Sequence, residues 1–107
     1  MLDLSTVTDS AFNACLEQTF TIEGALNGEG VEPISLSLVL VEVERRGALD
    51  QASGGRVPFS LLFRGQPDSV LSQGIYRMNH ADIGALELFL VPIGPDAEGM
   101  RYEAILN

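Results

Sequence analysis

The sequence contains no tryptophan and no lysine, one cysteine, one histidine and only 6 basic residues among 107. Each shortage removes a class of function. A lone Cys15 excludes an intramolecular disulfide and any cysteine-based zinc site. With His80 as the single imidazole, a zinc set would have to recruit carboxylates from distant parts of the chain, so neither a metal nor a cofactor is expected. Against the 6 basic residues stand 15 acidic ones, a net charge of −9. That balance repels nucleic-acid phosphates and anionic lipid, and no nucleic-acid partner is expected. Long hydrophobic runs are also missing. Val39-Leu40-Val41 and Leu88-Phe89-Leu90-Val91 fall far short of the ~20 apolar residues that span a bilayer, so no membrane insertion is expected. The start, Met1-Leu2-Asp3-Leu4-Ser5, has neither the basic onset nor the apolar core of a secretory signal, and the expected location is cytoplasmic.

What is present is a globular composition. Hydrophobic residues make up 46% of the chain and charged residues 20%, with the apolar share spread along its length, so residues 1–107 read as a single β domain. All the cations are arginines, the type suited to bidentate pairing with carboxylates. Thr8 or Asp9 offers an N-cap, and Phe12, Cys15 and Leu16 follow at helical spacing. A short helix is predicted there, with an apolar face too narrow to stand without docking on a sheet.

From Thr19 the period changes to two. A first strand runs to Gly24, and Asn27-Gly28 then supplies a hairpin turn. The second strand, from about Pro33 to Arg45, changes parity part way. Ile34, Leu36, Leu38 and Leu40 share one face, whereas Val39, Val41 and Val43 lie on the other, which predicts a bulge near Val39 to Val41 where the sheet curls. After a small-residue loop, Gly47 to Gly55, a third strand carries Val57, Phe59, Leu61 and Phe63. Pro58 cannot donate a ladder hydrogen bond, which places the start of this strand at an edge. A fourth strand lies within Ser69 to Met78, followed by a polar connection, Asn79-His80-Ala81-Asp82. The fifth, Ala85 to Ile93, is apolar on both faces apart from Glu87, the pattern of a central strand. Met100 to Leu106 alternates as the last. The predicted fold is all-β: a small antiparallel barrel or sandwich of about six strands with one short N-terminal helix.

Chemistry is thinly represented. His80 beside Asp82 is the one pair that could orient a general base, but no activated-nucleophile motif accompanies it. Asp96 and Glu98 sit in a Gly-flanked turn without the spacing of a calcium loop. The glycines fit neither phosphate-binding fingerprint. Phe59, Phe63, Tyr76, Phe89 and Tyr102 fall among aliphatic residues and read as core. Arg64 and Arg77 each close an apolar run and are expected to pair with a carboxylate such as Glu87 or Glu103.

The wording of the C-terminal half is more specific than its composition. The segments Val57-Pro58-Phe59-Ser60-Leu61-Leu62-Phe63-Arg64-Gly65, Gln73-Gly74-Ile75-Tyr76-Arg77 with His80, Leu88-Phe89-Leu90-Val91-Pro92-Ile93-Gly94 and Tyr102-Glu103-Ala104-Ile105-Leu106-Asn107 resemble a family of small uncharacterised bacterial proteins. The region around Phe12 and Phe20 matches it more loosely. Members of that family are often encoded near phage tail collar-type fibre proteins. The resemblance therefore implies an accessory role in a tail-like or fibre assembly, with an extracellular or tail-like final place, and carries over no catalytic residue.

The functional expectation is a non-enzymatic structural or interaction protein that assembles with itself or with another subunit, through strand addition at an exposed edge. The alternative is a small-molecule or glycan-binding module, with Tyr76, Arg77 and His80 around the barrel mouth. A hydrolase using His80 and Asp82 ranks third. Pro58, Arg64, Tyr76, Arg77 and His80 are the candidate partner- or ligand-binding positions.

Overall fold

The computed structural model describes residues 7–27, 30–45, 58–68 and 70–106. A short helix α1 (Asp9–Asn13) precedes six strands: β1 (Thr19–Asn27), β2 (Gly30–Arg45), β3 (Phe59–Gly65), β4 (Gly74–His80), β5 (Gly84–Pro95) and β6 (Met100–Leu106). Every pairing is antiparallel, and the order β1-β2-β3-β6-β5-β4 closes into a barrel.

Closure rests on two long strands that each change partner. Residues 30–39 of β2 pair with β1 and residues 39–45 with β3, the register shifting between Leu40 and Glu42. Val41 is the extra residue. Before it, Leu38 and Leu40 are buried; after it, Val43 lies opposite Leu61, in the core, while Glu42 stays in solvent. The predicted parity switch is this bulge, and it lets one strand bury an apolar face in both halves of the barrel. β5 mirrors it: residues 84–90 pair with β4 and 91–95 with β6, with a shift between Pro92 and Gly94.

β1 extends three residues past its predicted end at Gly24. Glycine is needed at this point inside the strand, because a Cβ there would collide with the Val31 side chain and lie 2.9 Å from the Glu32 carbonyl oxygen. Pro58 does not mark an edge: it immediately precedes β3, which pairs with β2 on one side and β6 on the other. Each half of β2 and of β5 has a single partner strand, and residues 30–38 of β2, which pair with β1 alone, contain Pro33. A residue without an N–H is tolerated there because one side of the strand has no ladder to supply, and it blunts that side against strand addition.

The interior is packed solid. Phe12, Phe20, Phe59, Phe63, Ile22, Leu40, Leu61, Met78, Leu86, Leu90 and Tyr102 are fully buried. α1 closes one end: Phe12 stacks on Phe20 at 6.5 Å between ring centroids and lies 5.9 Å from Phe59, while Phe20 meets Phe63 edge-on at 5.3 Å. Thr8 stands at the N-cap without a side-chain capping bond, so the helix is held by its docking. Arg45 at the end of β2 adds a 2.8 Å ion pair to Asp9. The opposite end is closed by the connection after β3. There the Leu71 N–H donates to the Tyr102 hydroxyl at 2.8 Å, and the Tyr76 hydroxyl donates to the Ser72 carbonyl.

Candidate functional site

His80 is the last residue of β4 and is buried, 4% exposed, where the sequence placed it in a polar connection. Its Nδ1 accepts the backbone N–H of Asp82 at 3.1 Å and of Ile83 at 3.2 Å. With that lone pair occupied, the ring proton sits on Nε2 and donates to Gln18 Oε1 at 2.6 Å. Asp82 thus meets the ring through its amide, and the His-x-Asp spacing reflects a side chain capping its own β-turn. The ring also lies 4.7 Å from Phe20, and Cys15 Sγ is 3.9 Å from Nδ1. Burial, and behind it the charge of Asp82, pushes the Cys15 thiol above its ordinary value of 9.0. The thiol and the imidazole, both closed off under α1, join the helix to the β4–β5 turn.

Tyr76, Arg77 and His80 do not converge on a barrel mouth. Tyr76 and His80 point inward towards opposite ends of β4, and Arg77 points outward to Glu87 of β5, with N–O distances of 2.9 and 3.3 Å. That pair is the one expected from the sequence. Arg64 pairs with Asp96, at 2.7 and 3.0 Å, and with Glu98 at 3.0 Å, not with Glu103. Asp96 Oδ1 meanwhile accepts the N–H groups of Glu98 and Gly99, at 2.8 and 3.0 Å. The Arg64 hydrogen bonds first, and then the Glu98 N–H, hold the Asp96 carboxyl below its ordinary value. The acidic turn thus serves as an arginine clamp. Arg64 borders a cleft of about 450 Å³ lined also by Thr19, Ser37, Val39, Gln66, Pro67 and Glu98.

The outer surface of the barrel carries the feature that sequence reading missed. Val31 of β2 lies opposite Leu26 of β1, Leu26 opposite Ile75 of β4, and Ile75 opposite Phe89 of β5. Directly opposed residues share a face, so these four form one row across four strands. The row points outward: Val31 is 41% exposed, Ile75 44% and Phe89 49%, with Leu26 half-buried. Phe89, expected in the core, is therefore a surface residue. The available signal was the two-faced apolar pattern of β5, read as a central strand. In a closed barrel one face is inside, and among the described residues nothing covers the outer row.

The adjacent outward row is Pro33, Gly24, Arg77 and Glu87, in which the two charges neutralise each other. Among the described residues no group of three His, Cys, Asp or Glu side chains could hold a metal ion, and no helix is long and apolar enough to cross a membrane.

A family model described as a domain of unknown function, DUF6916, matches residues 7–106, from just before α1 through the end of β6. The chain belongs to this family. No match was found among curated proteins or among solved structures. The DUF6916 match takes in the helix plug, all six strands and every member of the outer apolar row.

Proposed function

We propose that this DUF6916 domain is a non-enzymatic structural or interaction protein that assembles with another subunit through the outside of its barrel. The observation that carries the reading is the exposed row Val31, Leu26, Ile75 and Phe89. Contiguous apolar surface on a small folded domain marks a docking face, whereas single exposed apolar residues mean little. Pro33 blunts the free side of residues 30–38 of β2 against strand addition, which favours docking by the sheet face there. The sequence resemblance adds the setting, an accessory subunit of a tail-like or fibre assembly.

The test is affinity capture from the native host with wild-type and Phe89→Thr protein, read by mass spectrometry, beside light scattering. A partner recovered by the wild type and lost by the variant is the expected result. A strict monomer that recovers no partner removes the proposal. Small-molecule or glycan binding is the second reading, and its support is the polar cleft of about 450 Å³ between Thr19, Ser37 and Gln66. A hydrolase reading draws nothing from His80, whose Nδ1 is spent on two amides.

A further inference from the structure

The other half of the ring carries a charged recess. Beyond its bulge β2 pairs with β3, and β3 with β6, which sets Glu42 opposite Leu62, Leu62 opposite Glu103, and Glu44 opposite Ser60. Phe59, Leu61 and Phe63 take the inner face of β3, so Ser60, Leu62 and the residues opposed to them face outward. With Ile93, the extra residue at the β5 irregularity, they line a recess of about 180 Å³. Glu42 and Glu44 are exposed, and neither side chain has a hydrogen bond or ion pair. Ser60 points to a ligand independently of that charge. It is only 5% exposed, yet its hydroxyl has no hydrogen-bond partner among the described residues. Among those residues no fully enclosed side-chain oxygen or nitrogen lacks a partner, so this hydroxyl keeps its opening towards the recess that it lines.

Size and donor set together define what fits. The recess holds the volume of about six waters and lies below the ~300 Å³ at which drug-sized ligand sites begin, so it takes one side chain or the end of a small molecule. Unpaired carboxylates call for a cation. Among the described residues they form no group that could hold a metal ion, and a bare ion would leave Leu62 and Ile93 against water. A cation on a hydrocarbon stem meets both conditions. An ammonium presents three donors around one atom, which suits separate acceptors on Glu42, Glu44 and Ser60, whereas a guanidinium is a planar fork suited to a single carboxylate. We propose that this recess binds a primary alkylammonium group, with its methylene stem against Leu62 and Ile93 and its head between Glu42, Glu44 and the Ser60 hydroxyl. The site shares no residue with the outer apolar row and does not rest on the interaction reading above. A lysine side chain of another protein and a free polyamine both carry this group.

The experiment is a titration followed by backbone-amide NMR shifts, with n-butylammonium chloride and, at matched ionic strength, n-butylguanidinium chloride and sodium chloride. Butylammonium is expected to move the amides of Glu42, Glu44, Ser60 and Leu62 along a saturating curve, butylguanidinium to bind more weakly, and sodium to show no saturation. Glu42→Gln/Glu44→Gln keeps the size of both side chains and is expected to weaken butylammonium binding about tenfold or more. Ser60→Ala removes a hydroxyl that holds no internal bond, so its thermal midpoint is expected to stay unchanged while affinity falls about fivefold or more. Circular dichroism establishes that both variants are folded. Shifts that are equal and unsaturated with butylammonium and sodium overturn the proposal, as does tighter binding of butylguanidinium, or an affinity unchanged in either variant. Spermidine and a glycine-flanked lysine peptide, titrated against bound butylammonium, separate the two sources. The tighter competitor names the source, and failure of both to compete overturns the proposal. None of these outcomes bears on the apolar row, which capture from the host tests.

Discussion

Truncating Phe12 to alanine removes the ring that α1 inserts between Phe20 and Phe59, and with it the helix's main hold on the barrel end. A fully buried Phe→Ala change of this kind costs about 3–5 kcal/mol, a large part of the stability of a small domain. Urea denaturation of Phe12→Ala is expected to show that loss, and a change below ~1 kcal/mol would mean that α1 does not plug the barrel. His80 belongs to the same end. Its position beside Asp82 was visible in the sequence, but its role was not. Whether a histidine faces solvent or caps its own turn depends on the side to which the last residue of a strand points, and that is set by β4's register against β1 and β5. Arg77 and Glu87 were legible as a pair because two outward residues on adjoining strands needed only the correct hairpin register to meet.

At the scale of elements, Val41 is the most consequential single residue of β2. Deleting it would restore an uninterrupted period of two from Ile34 onward. Leu40 and Val43 would then share the buried face, with Glu42 and Glu44 still in solvent, so the change removes the bulge and its local twist without exchanging the faces. The expected outcome is a folded chain whose cooperative thermal transition lies at a lower midpoint, read by circular dichroism. An unchanged midpoint would show that the partner switch of β2 does not need the bulge. The β5–β6 turn makes a second prediction. Asp96 has a folded-state pKa below its ordinary value of 3.8, chiefly through the Arg64 hydrogen bonds. The unfolded chain therefore binds the proton more readily at that carboxyl, and its contribution is present above about pH 4 and lost as pH falls through the depressed folded value. Asp9, held low first by Arg45, works in the same direction. Asp96→Asn keeps an acceptor for the turn amides but removes the charge. Its acid-unfolding curve is expected to be flatter than the wild type's below pH 4, and superimposable curves would discount the clamp.

On the scale of the whole molecule, six antiparallel strands and a short helix could be read from residue patterns, because strand alternation, turn residues and a parity switch are local properties of the chain. The acidic surplus was equally plain. Ring closure was not, since it depends on which strands pair: β1 with β4 and β3 with β6 are contacts between residues far apart in sequence. Closure moved the candidate site. It paired β3 on both sides, so Pro58 lost its edge, and the free sides lie instead on β2 and β5, each half of which has a single partner strand. It also separated Tyr76 from His80 at the two ends of a filled barrel. Above all, it turned the second apolar face of β5 outward. The sequence by itself determined that Phe89 and Ile75 would lie on strands; only tertiary structure decided that they would stand in water, in line with Leu26 and Val31. A strand pattern specifies two faces, and the closure of the sheet alone specifies which face is the inside.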